Sequence, residues 1–101
     1  MKSLFPVLAL ALTVPALPVL AGPIETACNR SDRPAANPVL CSCIQSMANQ
    51  TLSRADQRKA ARFFRDPDLA QEVRMSPTAE DNAFWGRYRA FGDAAGQRCA
   101  F

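Results

Sequence analysis

Histidine is absent from the 101-residue chain, and tyrosine and tryptophan occur once each. Without His the commonest general base is missing, and with it the Ser-His-Asp and Cys-His catalytic arrangements and every His-containing zinc site. No Asn-Gly or Asp-Gly step marks a hairpin, and no stretch alternates apolar and polar residues, so β-strands lack their signature. Internal repeats and low-complexity segments are missing too. Beyond residue 21, no apolar run approaches the ~20 residues that a bilayer span needs. The acidic residues show no pairing suited to general acid–base work, and no cofactor motif is present. No motif names a reaction.

What is present begins with a leader. Residues 1–21, MKSLFPVLALALTVPALPVLA, place one Lys beside the N-terminus, then an uncharged apolar run, then Val19-Leu20-Ala21. That is the pattern of a signal peptide, with cleavage expected between Ala21 and Gly22. A membrane anchor is the competing reading, because the run is nearly long enough to span. Pro6, Pro15 and Pro18 interrupt it and favour cleavage. Lipidation would need a Cys directly after the apolar run, whereas Cys28 lies well past it. Of the 12 basic side chains only Lys2 lies in the leader, so 11 basic and 9 acidic groups remain in residues 22–101. That slight excess is a weak footprint for nucleic acid. The expectation is one domain, periplasmic or secreted, with no integral membrane segment after cleavage.

A domain this short buries only about 60–65% of its unfolded surface and commonly needs a staple. All four cysteines, Cys28, Cys41, Cys43 and Cys99, follow the leader, and an even count in an exported domain reads as two disulfides. Cys41 and Cys43 project ~200° apart on a helix and cannot pair with each other there. An antiparallel hairpin around residues 32–37 brings Cys28 level with Cys41. Cys43 and Cys99 both fall on apolar stripes. The expected pairs are therefore Cys28–Cys41 and Cys43–Cys99. The alternative for Cys41-Ser42-Cys43 is a thiol–disulfide exchange centre, although such centres normally use Cys-x-x-Cys in a thioredoxin-like context. A four-thiolate zinc site is the remote third option.

Helix punctuation recurs along the chain, and the expected fold is an all-α, disulfide-stapled bundle of four to five short helices. Pro23 opens a short helix over 23–31, and residues 32–37 form a turn. Asn37 caps a second helix starting at Pro38. Its stripe is Val39, Leu40, Cys43, Ile44 and Met47, with Ser42, Gln45, Ser46 and Asn49 opposite. Ser53 with Asp56 resembles a capping box and opens a helix over 54–65, with Ala55, Ala60, Phe63 and Phe64 inward. Asp66-Pro67 starts a fourth helix over 67–74, with Leu69, Ala70 and Val73 inward. Ser76-Pro77 starts the last, about 77–98, with Phe84, Tyr88, Phe91, Ala95 and Cys99 as its stripe. Gly92 and Gly96 weaken its end, where fraying is expected.

Two surface features are candidates for binding. Arg54, Arg58, Arg62 and Arg65 are spaced four, four and three along one face of the third helix, with Lys59 beside them. They read either as a basic stripe for an anionic envelope surface or acidic protein, or as a solvated face partly neutralised by Asp56, Asp66 and Asp68. Trp85, Arg87, Tyr88, Arg89 and Phe91 form an aromatic–basic cluster. It reads mainly as core, with Trp85 and Arg89 as candidate contact residues.

The run LCSCIQSMANQTLSRADQRKAARFFRDPDLAQEVRMS (40–76) and the run AFWGRYRAFGDAAGQRC (83–99) resemble a group of small exported alphaproteobacterial proteins that carries the label "arginine transporter". The similarity covers most of residues 22–101. A domain without a spanning segment does not itself move arginine across a bilayer, so the resemblance implies at most an accessory role in binding basic amino acids. The residues themselves favour a small exported helical protein that binds or scaffolds without catalysis. Thiol–disulfide exchange and basic-amino-acid binding stand as alternatives.

Overall fold

The computed structural model describes residues 22–99, and the expected signal peptide, residues 1–21, lies outside them. Five helices follow one another: α1 (Pro23–Asn29), α2 (Pro38–Thr51), α3 (Arg54–Arg65), α4 (Pro67–Met75) and α5 (Ala79–Arg98). The described residues form no strand. The α1 helix packs on α2 and α3, α2 runs along α5, and α4 closes the bundle between α3 and α5.

Most helix starts follow from local chemistry. Asn37, Ser53 and Asp66 sit at N-cap positions and accept from Leu40 N–H, Asp56 N–H and Leu69 N–H at 2.9, 3.1 and 3.4 Å. Each satisfies one of the backbone donors that a helix start leaves unpaired. Pro23, Pro38 and Pro67 occupy the first turn of their helices, where the missing N–H costs nothing. The last helix departs from expectation. Its cap is Thr78, which accepts from Asp81 N–H at 3.1 Å, while Ser76 and Pro77 stay outside it. Ser76 is extended (ψ 139°) and closes α4 instead, because a residue before proline is pushed out of helical geometry.

The two disulfides join Cys28 to Cys41 and Cys43 to Cys99, with Cα–Cα distances of 5.5 and 5.7 Å. The first clamps the α1–α2 hairpin, and the second ties the end of α5 to the first half of α2. That anchor, with Ala95 buried, accounts for the end of α5. The helix runs through Gly92 and Gly96 to Arg98 rather than fraying.

The core is centred on Phe63 and Phe84, whose rings meet edge-to-face at 6.0 Å, with Tyr88 edge-on to Phe63 at 5.2 Å. Burying each of these rings contributes about 1.5–3 kcal/mol, and the edge-to-face geometry about 0.5–1.5 kcal/mol more. Ile24, Ile44, Met47 and Leu52 extend this core toward α1. Three positions differ from the stripe pattern. Val39 is 82% exposed, because at 100° per residue it lies about 160° round α2 from the buried Cys41, on the face turned away from the core. Ala55 is exposed for the same kind of reason, lying about 140° round α3 from the buried Ala60.

The third difference is polar. Gln45, placed on the outer side of α2 by its chemistry, is buried, as is Gln57 of α3. Gln45 Oε1 accepts from Glu25 N–H at 2.9 Å, and its Nε2 donates to Gln57 Oε1 and Asn49 Oδ1, each at 2.8 Å. Gln57 Nε2 in turn donates to the Leu52 carbonyl at 3.2 Å. Gly22, at the N-cap of α1, has no side chain to offer, so Gln45 caps that helix from its neighbour. The network locks α1 onto the α2–α3 corner and leaves no buried side-chain polar atom unpaired among the described residues.

Candidate functional site

The α3 helix turns Gln57, Ala60 and Phe63 inward, which puts Arg54, Arg58, Arg62 and Arg65 on the outer face. All four are exposed. Their freedom depends on where the nearby carboxylates go. Asp56 is held by Arg87 of α5 in a two-pronged contact, Nε to Oδ2 at 2.7 Å and Nη2 to Oδ1 at 3.2 Å. That guanidinium draws the Asp56 carboxyl below its usual range. Asp66 serves as the cap of α4. Among the described residues, the four arginines form no ion pair with Asp56, Asp66, Asp68 or any other carboxylate.

Lys59 does not belong to that face. Its Nζ pairs with Asp81 at 2.8 Å and sits 4.5 Å from the centroid of the Phe84 ring, over the core. At 100° per residue Lys59 lies five residues, or about 140° of rotation, from Arg54, which carries it round to the α5 side. The hydrogen bond from Lys59 lowers the Asp81 pKa.

Trp85 and Arg89 are not joined to the arginine face either. On α5 they fall on the flank away from Arg87, the residue that reaches α3. Trp85 is half-buried against Tyr88, ring centroids 5.1 Å apart, and Arg89 is exposed.

The packing of α1 against α3 adds a residue that sequence spacing did not single out. A groove of about 390 Å³ runs between the two helices, lined by Pro23, Thr26, Ala27 and Arg30 from α1 and Arg54, Ala61 and Arg65 from α3. Three of these seven residues are arginine and none is acidic. Arg30 stands directly after α1, and nothing in its local sequence says which helix α1 will cover. Three guanidinium groups line the groove, and Arg58 and Arg62 continue the exposed arginine face of α3 beyond it. Guanidinium binds phosphate or carboxylate bidentately, so the arrangement suits an extended anionic surface rather than a single small ion.

The bridge between Cys41 and Cys43 that a Cys-Ser-Cys exchange pair would form is not the one seen. Cys41 and Cys43 belong to different bridges and no cysteine is free. Among the described residues, no group of three or more His, Cys, Asp or Glu side chains is placed to hold a metal ion. No helix of those residues is long and apolar enough to cross a membrane. No protein-family model matches the chain, and no curated protein or solved structure matches it either.

Proposed function

We propose that this chain is a small exported helical binding or scaffolding protein whose α1–α3 face docks on an anionic envelope surface. The observation that carries this reading is the separation of its charges. Asp56 and Asp81 are engaged across the α3–α5 seam by Arg87 and Lys59, while Arg30, Arg54 and Arg65 line a groove that holds no acidic residue. Among the described residues these three, Arg58 and Arg62 form no ion pair, and Glu25 lines a neighbouring groove with Arg54. A purely solubilising surface gains nothing from this segregation, since interspersed charges serve solubility as well. The paired cysteines support an oxidising compartment outside the cytoplasm, and the leader pattern points to the periplasm or beyond. The reading includes membership of the small exported group that residues 40–76 and 83–99 resemble, and it assigns no catalytic role.

Vesicle co-sedimentation tests it directly. The protein should sediment with phosphatidylglycerol vesicles and not with phosphatidylcholine vesicles. Binding should fade as salt rises from 0.1 to 1 M and the Debye length shrinks from ~10 to ~3 Å. Each basic residue near such a surface contributes about 1 kcal/mol. Arg58→Gln/Arg62→Gln should therefore weaken binding by about thirtyfold, with little change in stability. Equal sedimentation of both proteins under every condition would rule out lipid and leave either an acidic protein partner or a merely solvated face.

A further inference from the structure

A second groove, of about 280 Å³, lies where the turn after α1 meets α2, α3 and α5. It shares no lining residue with the arginine groove. Its walls are apolar and aromatic: Leu40, Ile44, Phe64, Tyr88 and Phe91 face it together with small residues. Arg33 is the one charged side chain among the described residues that line it. The Arg33 guanidinium carbon lies over the Phe64 ring, 5.2 Å from its centroid. A cation held against a ring face by this attraction still has N–H groups to donate to an anion. Tyr88 also lines the groove, and burial moves its phenol further above neutral, so it adds no negative charge there.

We infer that this groove is a binding site for a small amphiphilic anion, an alkyl carboxylate whose tail lies among Leu40, Ile44, Phe64 and Phe91 and whose head meets Arg33. The inference stands apart from the envelope-docking reading and uses none of its residues. Ligand pockets are typically apolar with a few placed polar groups and span about 300–1,000 Å³, and this one, at about 280 Å³, lies just below that range. A water-sized group takes about 30 Å³, so the groove accommodates about nine such groups, a medium alkyl chain and not a two-chain phospholipid. The charge settles the head group. An Arg with no acidic neighbour in the lining rejects a cationic amphiphile and favours a carboxylate over a neutral alcohol.

The chain carries its own reporter, because Trp85 is the only tryptophan and its ring lies 5.1 Å from that of Tyr88. Titrating the disulfide-bonded protein with sodium decanoate below its self-association range should give a saturable one-site change in tryptophan fluorescence. Decanol should bind about tenfold more weakly and a decyl ammonium salt more weakly still. Arg33→Gln should weaken decanoate by about tenfold and leave decanol unchanged. A Cβ at Gly92, in the groove wall, would meet nothing within 4 Å, so Gly92→Phe can be built without a backbone clash and should weaken both ligands. Absence of a saturable decanoate response would overturn the site. Equal binding of decanoate and decanol, or indifference of decanoate to Arg33→Gln, would overturn the anionic head. Amide shifts mapping away from residues 31–36 and 88–95 would place the ligand elsewhere and overturn it as well.

Discussion

Gln45 Nε2 donates to Gln57 Oε1 at 2.8 Å inside an otherwise apolar core, and these two are the only buried polar side chains among the described residues. Through Glu25 N–H and the Leu52 carbonyl the pair also fixes α1 and the α2–α3 corner, so the orientation of the arginine groove depends on it. Removing one member strands the donors and acceptors of the others, at about 1–3 kcal/mol for a buried unsatisfied group. Gln45→Leu should lower unfolding free energy by about that amount. Asn49→Ala, at an exposed position, should cost less. Urea titration with both disulfides intact measures both.

Gly22 and Gly92 should respond oppositely to alanine. A Cβ at Gly22 would overlap Gln45 Cδ, and Gln45 cannot swing away without losing its three hydrogen bonds. Gly22→Ala should therefore destabilise by about 1–3 kcal/mol, the usual cost of overpacking. Gly92 sits in α5 with open space around it, and Gly92→Ala should stabilise by about 0.5–1 kcal/mol through helix propensity alone. Thermal melts of the two variants should move in opposite directions.

Acid should weaken the fold through the carboxylates that hold α3 and α5 together. The folded-state pKa values of Asp56 and Asp81 are depressed by Arg87 and Lys59 respectively. In the acid range the folded protein thus binds fewer protons than the unfolded chain. The stability these pairs contribute is fully present above the ordinary aspartate pKa, about 3.9, and is lost as pH falls through the lower folded values. Urea midpoints should hold nearly level between about pH 7 and 5 and decline below about 4. Asp56→Asn should make that decline shallower. An equally steep decline in the variant would show that Asp56 is not a source of it.

The two disulfides should contribute unequally. Their sequence separations are 13 for Cys28–Cys41 and 56 for Cys43–Cys99. In the chain-entropy account these loops correspond to about 3 and 4 kcal/mol. Serine replacement of the Cys43–Cys99 pair should thus lower the urea midpoint more than replacement of Cys28–Cys41. Full reduction should approach unfolding, since the two together rival the ~5–15 kcal/mol stability of a typical domain. Denaturation curves of the two double variants and the reduced protein decide the order.

The starts of α2, α3 and α4 could be read from the sequence because caps and prolines act within a single turn. Asn37-Pro38, Ser53 and Asp66-Pro67 need no distant partner to start a helix. The disulfide pairs were readable for a similar reason: the angle between Cys41 and Cys43 on one helix forbids the local bridge, and the turn at 32–37 brings Cys28 level with Cys41. The spacing of Phe84, Tyr88, Phe91 and Ala95 likewise marked the inner side of α5. Burial of Gln45, by contrast, follows from where α1 lands, since only the Glu25 N–H and Gln57 make a buried amide affordable at that position. The same docking brings Arg30 beside Arg54 and Arg65. Lys59 and Asp56 were equally undetermined by spacing, because a charged side chain near a helix flank turns toward whichever opposite charge the next helix presents. Here α5 presents Asp81 and Arg87. Local hydrogen bonding and helical periodicity are encoded within a few residues of one another, whereas the partners of a polar or charged side chain come from elements far along the chain. Only the packing of α1 on α3 and of α5 across the bundle decided which arginines remain free.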